Sequence, residues 1–252
     1  LKINVMPNHL SYRSGNPVLT SNAFNIATDE SDVMTINGTV NKTFLLLFIV
    51  IGSGYFAWNN LVTSMYLAFP AAIMGLVIGL LIIFNKKWIS YLAPIYAVTQ
   101  GIFLGMISYY FNSLYDGIAI TAISYTLCIL FGLLSIYRLG IIKPTENFKL
   151  GVGAATSGIF LIYMINFVMS FFGTGIPLMD VANASIYSIG FSVFVIIIAA
   201  ANLVIDFDFI EEGAEKGAPK YMEWYGAFGL MVTLIWLYFE ILKLLAKLNS
   251  RR

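Results

Sequence analysis

The chain has 252 residues, 59% of them hydrophobic and only 11% charged, with a formal net charge of +1. Ordinary soluble domains carry about 25% charged residues, so there is too little polar surface here to cover a water-soluble fold. A balance so near zero gives no electrostatic basis for a nucleic-acid partner.

The mean hydropathy is +0.83, and apolar runs recur at roughly 17–25 residues, the length that crosses a bilayer as a helix. The class predicted is an all-α polytopic membrane protein with the lipid bilayer as its first partner. The runs are continuous rather than alternating, which argues against a β-barrel. Cys128 is the single cysteine and His9 the single histidine, so neither an intrachain disulfide nor a His/Cys metal site can be built. No phosphate-binding glycine loop, zinc-protease motif, nucleophile elbow or CxxC pair occurs. No enzyme and no resident cofactor are expected, and no cleavable signal peptide is visible.

Residues 1–42 read as a polar N-terminal tail and 43–252 as a seven-helix transmembrane domain. The predicted segments are 43–59, 64–84, 89–111, 117–137, 150–172, 184–210 and one within 221–248. Pro70 and Pro94 fall near segment starts, where a missing N–H is tolerated. Trp58, Trp88, Tyr91, Tyr110, Tyr115 and Tyr137 stand near segment ends, as in an aromatic belt. Gly101 and Gly105 form a GxxxG pattern, which lets two helices approach closely.

The basic residues alternate between connections. Lys42, then Lys86 and Lys87, then Arg138, Lys143 and Lys149, then Lys216 and Lys220 share one side. The intervening connections carry Asp116 and Asp180. By the positive-inside rule the N-terminus is cytoplasmic. Lys243, Lys247, Arg251 and Arg252 break the pattern, so the last segment either crosses against the rule or re-enters and returns. Crossing is favoured, because 226–245 is long enough to span.

Acidic groups at membrane depth are costly and rarely idle. Asp206 and Asp208 lie about 200° apart on a helix and cannot both face the bundle. Asn202 and Asp206 share a face, as do Asp208, Glu211 and Glu212, so Asp206 is the better inward carboxylate. A helix C-terminus disfavours acids, and this cluster needs water, Lys216 and Lys220, or a bound cation such as Ca²⁺. Glu240 shares a face with Thr233, Trp236, Lys243 and Lys247. It pairs with Lys243 within its helix, or it meets a second acid across helices and shares a proton with it. A meeting of Asp206 with Glu240 requires the last span to start late, with a break flanked by Gly226 and Gly229. Otherwise Glu223 is the closer acid. The candidates for gating and ion binding are Asp206, Glu240 and Asp208, with Asp206 and Glu240 as Ca²⁺ ligands. Gln100, Asn166 and Asn202 are candidates for a polar seam, with Tyr163 and Ser170 beside Asn166 on the fifth segment.

Five stretches together resemble one family: RSGNP at 13–17, MTINGTVNKT at 34–43, PIYAVTQGIFLG at 94–105, NLVIDFDFI at 202–210 and GAPKYMEWY at 217–225. They are similar to the bacterial YccA-like branch of the Bax-inhibitor family, over nearly the whole chain. The resemblance implies seven helices with the last in the centre, a place in the bacterial inner membrane, and a pH-sensitive calcium leak. It also implies a sensor of two aspartates on the sixth and seventh helices. Asp206 matches the first and Glu240 best matches the second, although Glu replaces Asp and extra residues separate the pair. The basic residue that relatives pair with the sensor on the second helix has no counterpart within the membrane here. YccA-like members also resemble modulators or substrates of a membrane-bound AAA protease, for which the polar tail is a candidate handle.

Overall fold

A computed structural model describes residues 33–251, apart from the side chains of 61–64. Among the described residues there are seven helices long and apolar enough to cross a membrane. They are α1 (Ile36–Asn59), α2 (Leu61–Phe84), α3 (Ile89–Leu114), α4 (Ile118–Arg138), α5 (Glu146–Ser170), α6 (Ile186–Glu215) and α7 (Met222–Ser250). Short 3₁₀ turns precede α3 at Lys86–Trp88 and lie between α5 and α6 at Pro177–Met179. The RSGNP motif, His9 and most of the tail considered as a protease handle lie outside the described residues.

Helices α1, α5 and α6 start where a side chain satisfies free N–H groups of the helix N-terminus. Thr35 accepts from Gly38 N at 3.0 Å, Thr145 from Phe148 N at 3.2 Å and Ser185 from Ser188 N at 3.3 Å. The cap at Thr35 corrects the tail boundary. Residues 36–42 are the first turns of α1 and not tail, although they are polar, because Thr35 starts the helix. Thr39 and Thr43 return their hydroxyls to Thr35 O and Thr39 O. Helix α2 likewise starts earlier than its apolar run, so Pro70 falls deeper inside it than expected.

Helix α7 is the most buried of the seven and packs against α1, α3, α4 and α6. Its 29 residues form one helix with no break at Gly226 or Gly229. Helix α2 packs on α3 and α1, and α5 packs mainly on α6, so both helices sit at the periphery. Outward positions such as Phe48, Tyr66, Phe84 and Phe172 are large, apolar and exposed, as a lipid-facing surface requires.

Lipid supplies no hydrophobic drive between helices, so close backbone approach matters. At the α1–α3 crossing a Cβ on Gly105 would stand 2.8 Å from Gly54 Cα, and one on Gly101 would strike Val50 O and Ser53. The GxxxG pattern is the contact surface of α3 for α1.

Candidate functional site: a buried polar line between α6 and α7

Two contacts fix how α6 and α7 run past each other. Thr233 Oγ1 donates to Asp206 Oδ2 at 2.6 Å, and Lys247 Nζ donates to Ser192 Oγ at 3.0 Å. The partners are fourteen residues apart on both helices, so the two run antiparallel in constant register. Ala199 therefore stands level with Glu240, and Asn202 level with Leu237. The line Thr233, Trp236, Glu240, Lys243, Lys247 occupies one face of α7, and fourteen residues at about 1.5 Å each extend it over roughly 21 Å.

Asn202, Asp206, Glu240 and Lys247 are only 1, 0, 1 and 2% exposed. Asn202 Nδ2 donates to Thr156 Oγ1 of α5 and to Ile198 O, both at 2.8 Å, and its buried Oδ1 accepts no hydrogen bond from the described residues. Glu240 Oε1 accepts from Tyr163 OH of α5 at 2.6 Å and pairs with Lys243 Nζ at 2.7 Å. Lys243 also reaches Tyr163 OH at 3.2 Å and lies over the Tyr163 ring. Glu240 thus makes the intrahelical pair with Lys243. The group facing Asp206 is the hydroxyl of Thr233, with Glu240 two turns further along, about 10 Å by helical rise. The continuity of α7 is the reason, because the late start that would have brought the two acids level does not occur.

Asp206 and Asp208 face opposite ways, as their spacing requires. Asp208 is at the rim, where its Oδ2 pairs with Lys149 Nζ of α5 at 2.6 Å. Tyr137 of α4 donates to Glu211 and stands 3.5 Å from Asp208 Oδ1. Lys216 pairs with Glu212 at 2.7 Å. Asp208, Glu211 and Glu212 are thus met by Lys149 of α5, Tyr137 of α4 and Lys216 just past the end of α6.

Of the polar-seam candidates, Asn202 lies on this line and Tyr163 reaches it from α5; Gln100, Asn166 and Ser170 do not. Gln100 is packed over Gly75 of α2, where its amide fills the space a Cβ would need. Asn166 Oδ1 accepts from Ile176 N at 2.8 Å and holds the α5–α6 connection. Ser170 returns its hydroxyl to Phe167 O at 2.6 Å. Among the described residues no three His, Cys, Asp or Glu side chains converge as a metal cluster.

A second buried acid lies at the other end of α7. Glu223 is fully buried; its Oε1 accepts from Thr35 N at 2.9 Å and Thr35 Oγ1 at 2.8 Å. Its carboxylate pairs with Lys42 and, at 3.1 Å, with Lys220. Gly38 makes the space, since a Cβ there would collide with that carboxylate. Met34 N donates to Ala218 O at 2.6 Å and completes the clamp. Glu223 is not the closer acid to Asp206: it stands ten residues from Thr233, about 15 Å by helical rise, against about 10 Å for Glu240. The two stretches MTINGTVNKT and GAPKYMEWY meet at this clamp.

Seven spanning helices, a buried central seventh helix and a charged line along it define a polytopic helical membrane protein with polar groups held inside the bundle. The family model described as "Bax inhibitor 1 like" matches residues 16–250, and the chain belongs to that family. No curated protein and no solved structure matches it.

Proposed function

We propose that this Bax-inhibitor-like membrane protein is a pH-sensitive cation leak, with Ca²⁺ the ion its family resemblance points to, and with Asp206 as the gating group. One observation carries the reading. The polar line beside Asp206 and Thr233 continues through Glu240 to Lys247 over roughly 21 Å of a hydrocarbon core about 30 Å thick. Burying such groups is costly, and a bundle needing only a greasy centre would fill those positions with leucine.

The chemistry of the gate is a hydrogen bond exchanged on protonation. An ionised Asp206 accepts from Thr233. A protonated Asp206 becomes a donor as well, and the α6–α7 contact must rearrange around it. The charged and titratable groups along this line are Glu240, Lys243 and Lys247 of α7 and Tyr163 of α5, with Asp208 and Lys149 at the rim. The distribution of basic loops supports an orientation with the N-terminal end of α1 in the cytoplasm, and the resemblance supports a bacterial inner membrane.

The test is reconstitution into liposomes loaded with a Ca²⁺ indicator, with the external pH stepped between readings. A Ca²⁺ flux above that of protein-free liposomes, changing with pH, is expected. Flux equal to protein-free liposomes at every pH overturns the proposal.

A further inference from the structure

Lys247 lies three residues before the end of α7. A lysine in that position normally extends its charge to the membrane surface while its stem stays in lipid. This one does not, for it is 2% exposed. Its Nζ donates to Leu178 O at 2.9 Å, Ser192 Oγ at 3.0 Å and Ser188 O at 3.4 Å. Among the described residues no carboxylate lies within ion-pair distance of it; Lys243, one turn away, takes Glu240. A buried ammonium held by neutral oxygens alone is an expensive arrangement.

The oxygens come from two elements, the 3₁₀ turn at Pro177–Met179 and the first two turns of α6. Ser188 Oγ binds Leu178 O as well, at 2.9 Å, and ties the turn to the helix. Carbonyl and hydroxyl oxygens converging on one point can replace the hydration shell of a monovalent cation, as rings of carbonyls do in potassium filters. Ammonium and K⁺ are alike in charge and similar in size.

We propose that Leu178 O, Ser188 O and Ser192 Oγ form a monovalent-cation cage whose resident cation is the chain's own Lys247, a tethered plug at one end of the polar line. The plug half of this rests on the leak reading above; the cage half does not. An ion moving from Glu240 along α7 toward the Asp180 end meets the Lys247 ammonium seated among these oxygens.

The experiment compares wild type, Lys247→Ala and Lys247→Met, all as the full chain in detergent. Melting temperature is read in choline, ammonium and potassium chlorides at equal ionic strength. Lys247→Ala is expected to melt several degrees below wild type in choline and to regain most of that loss in ammonium or potassium. Lys247→Met fills the space without charge and is expected to show no regain, and wild type no response. A Lys247→Ala protein that responds to ammonium and potassium no more than wild type overturns the cage, as does one that fails to fold in all three salts.

In liposomes the same Ala variant is expected to pass cations several-fold faster than wild type. A regain in melting temperature with no flux from either protein retains the cage and rejects the leak. Flux from wild type that Lys247→Ala leaves unchanged rejects the plug.

Discussion

Thr233 holds the carboxylate of Asp206 by a 2.6 Å hydrogen bond from α7 to α6, with the acid 0% exposed. A hydroxyl facing a buried carboxylate is a different device from two carboxylates facing each other. It gives the acid a partner in both protonation states, since a hydroxyl both donates and accepts.

Removing that hydroxyl leaves the acid with fewer partners in a dry site. Thr233→Val keeps the shape and deletes the donor, and it is expected to cost about 1.5–3 kcal/mol, the range for a hydrogen bond to a charged group. Asp206→Asn is expected to cost less, because its amide oxygen can still accept from Thr233. Equilibrium unfolding in mixed micelles measures both. Stability of Thr233→Val indistinguishable from wild type would show that the bond contributes nothing.

Glu223 anchors the start of α7 to the start of α1. Truncation of one partner in a buried ion pair costs about 3–5 kcal/mol, so Glu223→Ala is expected to lower stability by that order. Lys42→Met is expected to cost less, because Lys220 and Thr35 remain on the acid. Gly38→Ala places a methyl group where the carboxylate sits and is expected to be destabilising by about 1–3 kcal/mol. A double-mutant cycle on Lys42 and Glu223 checks the coupling, and a coupling energy of zero would dissolve the clamp.

The α1–α3 crossing depends on backbone touching backbone at Gly54 and Gly105. Gly105→Leu cannot be accommodated without separating the helices and is expected to lower the melting temperature sharply. Gly52→Ala, with nothing within 4 Å of the added carbon, is its control and is expected to melt with wild type. Equal melting temperatures for both variants would refute the close crossing.

Orientation can be read by thiol labelling in a Cys128→Ser background. A cysteine at Lys87 or Lys143 is expected to react from the cytoplasmic side only, and one at Asp180 from the opposite side only. Labelling of all three from one side would contradict an alternating bundle.

The helices were legible because a bilayer demands long apolar runs, and all seven predicted segments needed only their ends adjusted. The start of α1 was not legible as helix, since Asn37, Asn41 and Lys42 look like tail until Glu223 is seen to receive Lys42. The inward turn of Asp206 followed from the angle between it and Asp208. Its partner did not, because that depends on the register of α6 against α7, which no single helix encodes. Thr233 and Tyr163 were both in view, one on the face of Glu240 and one on α5, but only tertiary packing assigns them to different acids. In sequence Lys247 is one of four positive charges near the chain's end, and its burial comes with the Pro177–Met179 turn, whose Leu178 O it reaches.

In the proposed leak, Asp206 sets the pH response. The decisive measurement is the pH profile of Ca²⁺ flux in liposomes for wild type and Asp206→Asn at matched protein content. A flux that changes with pH in wild type and is flat in Asp206→Asn, whose side chain cannot ionise, is expected. A profile in Asp206→Asn that rises and falls with that of wild type would contradict it.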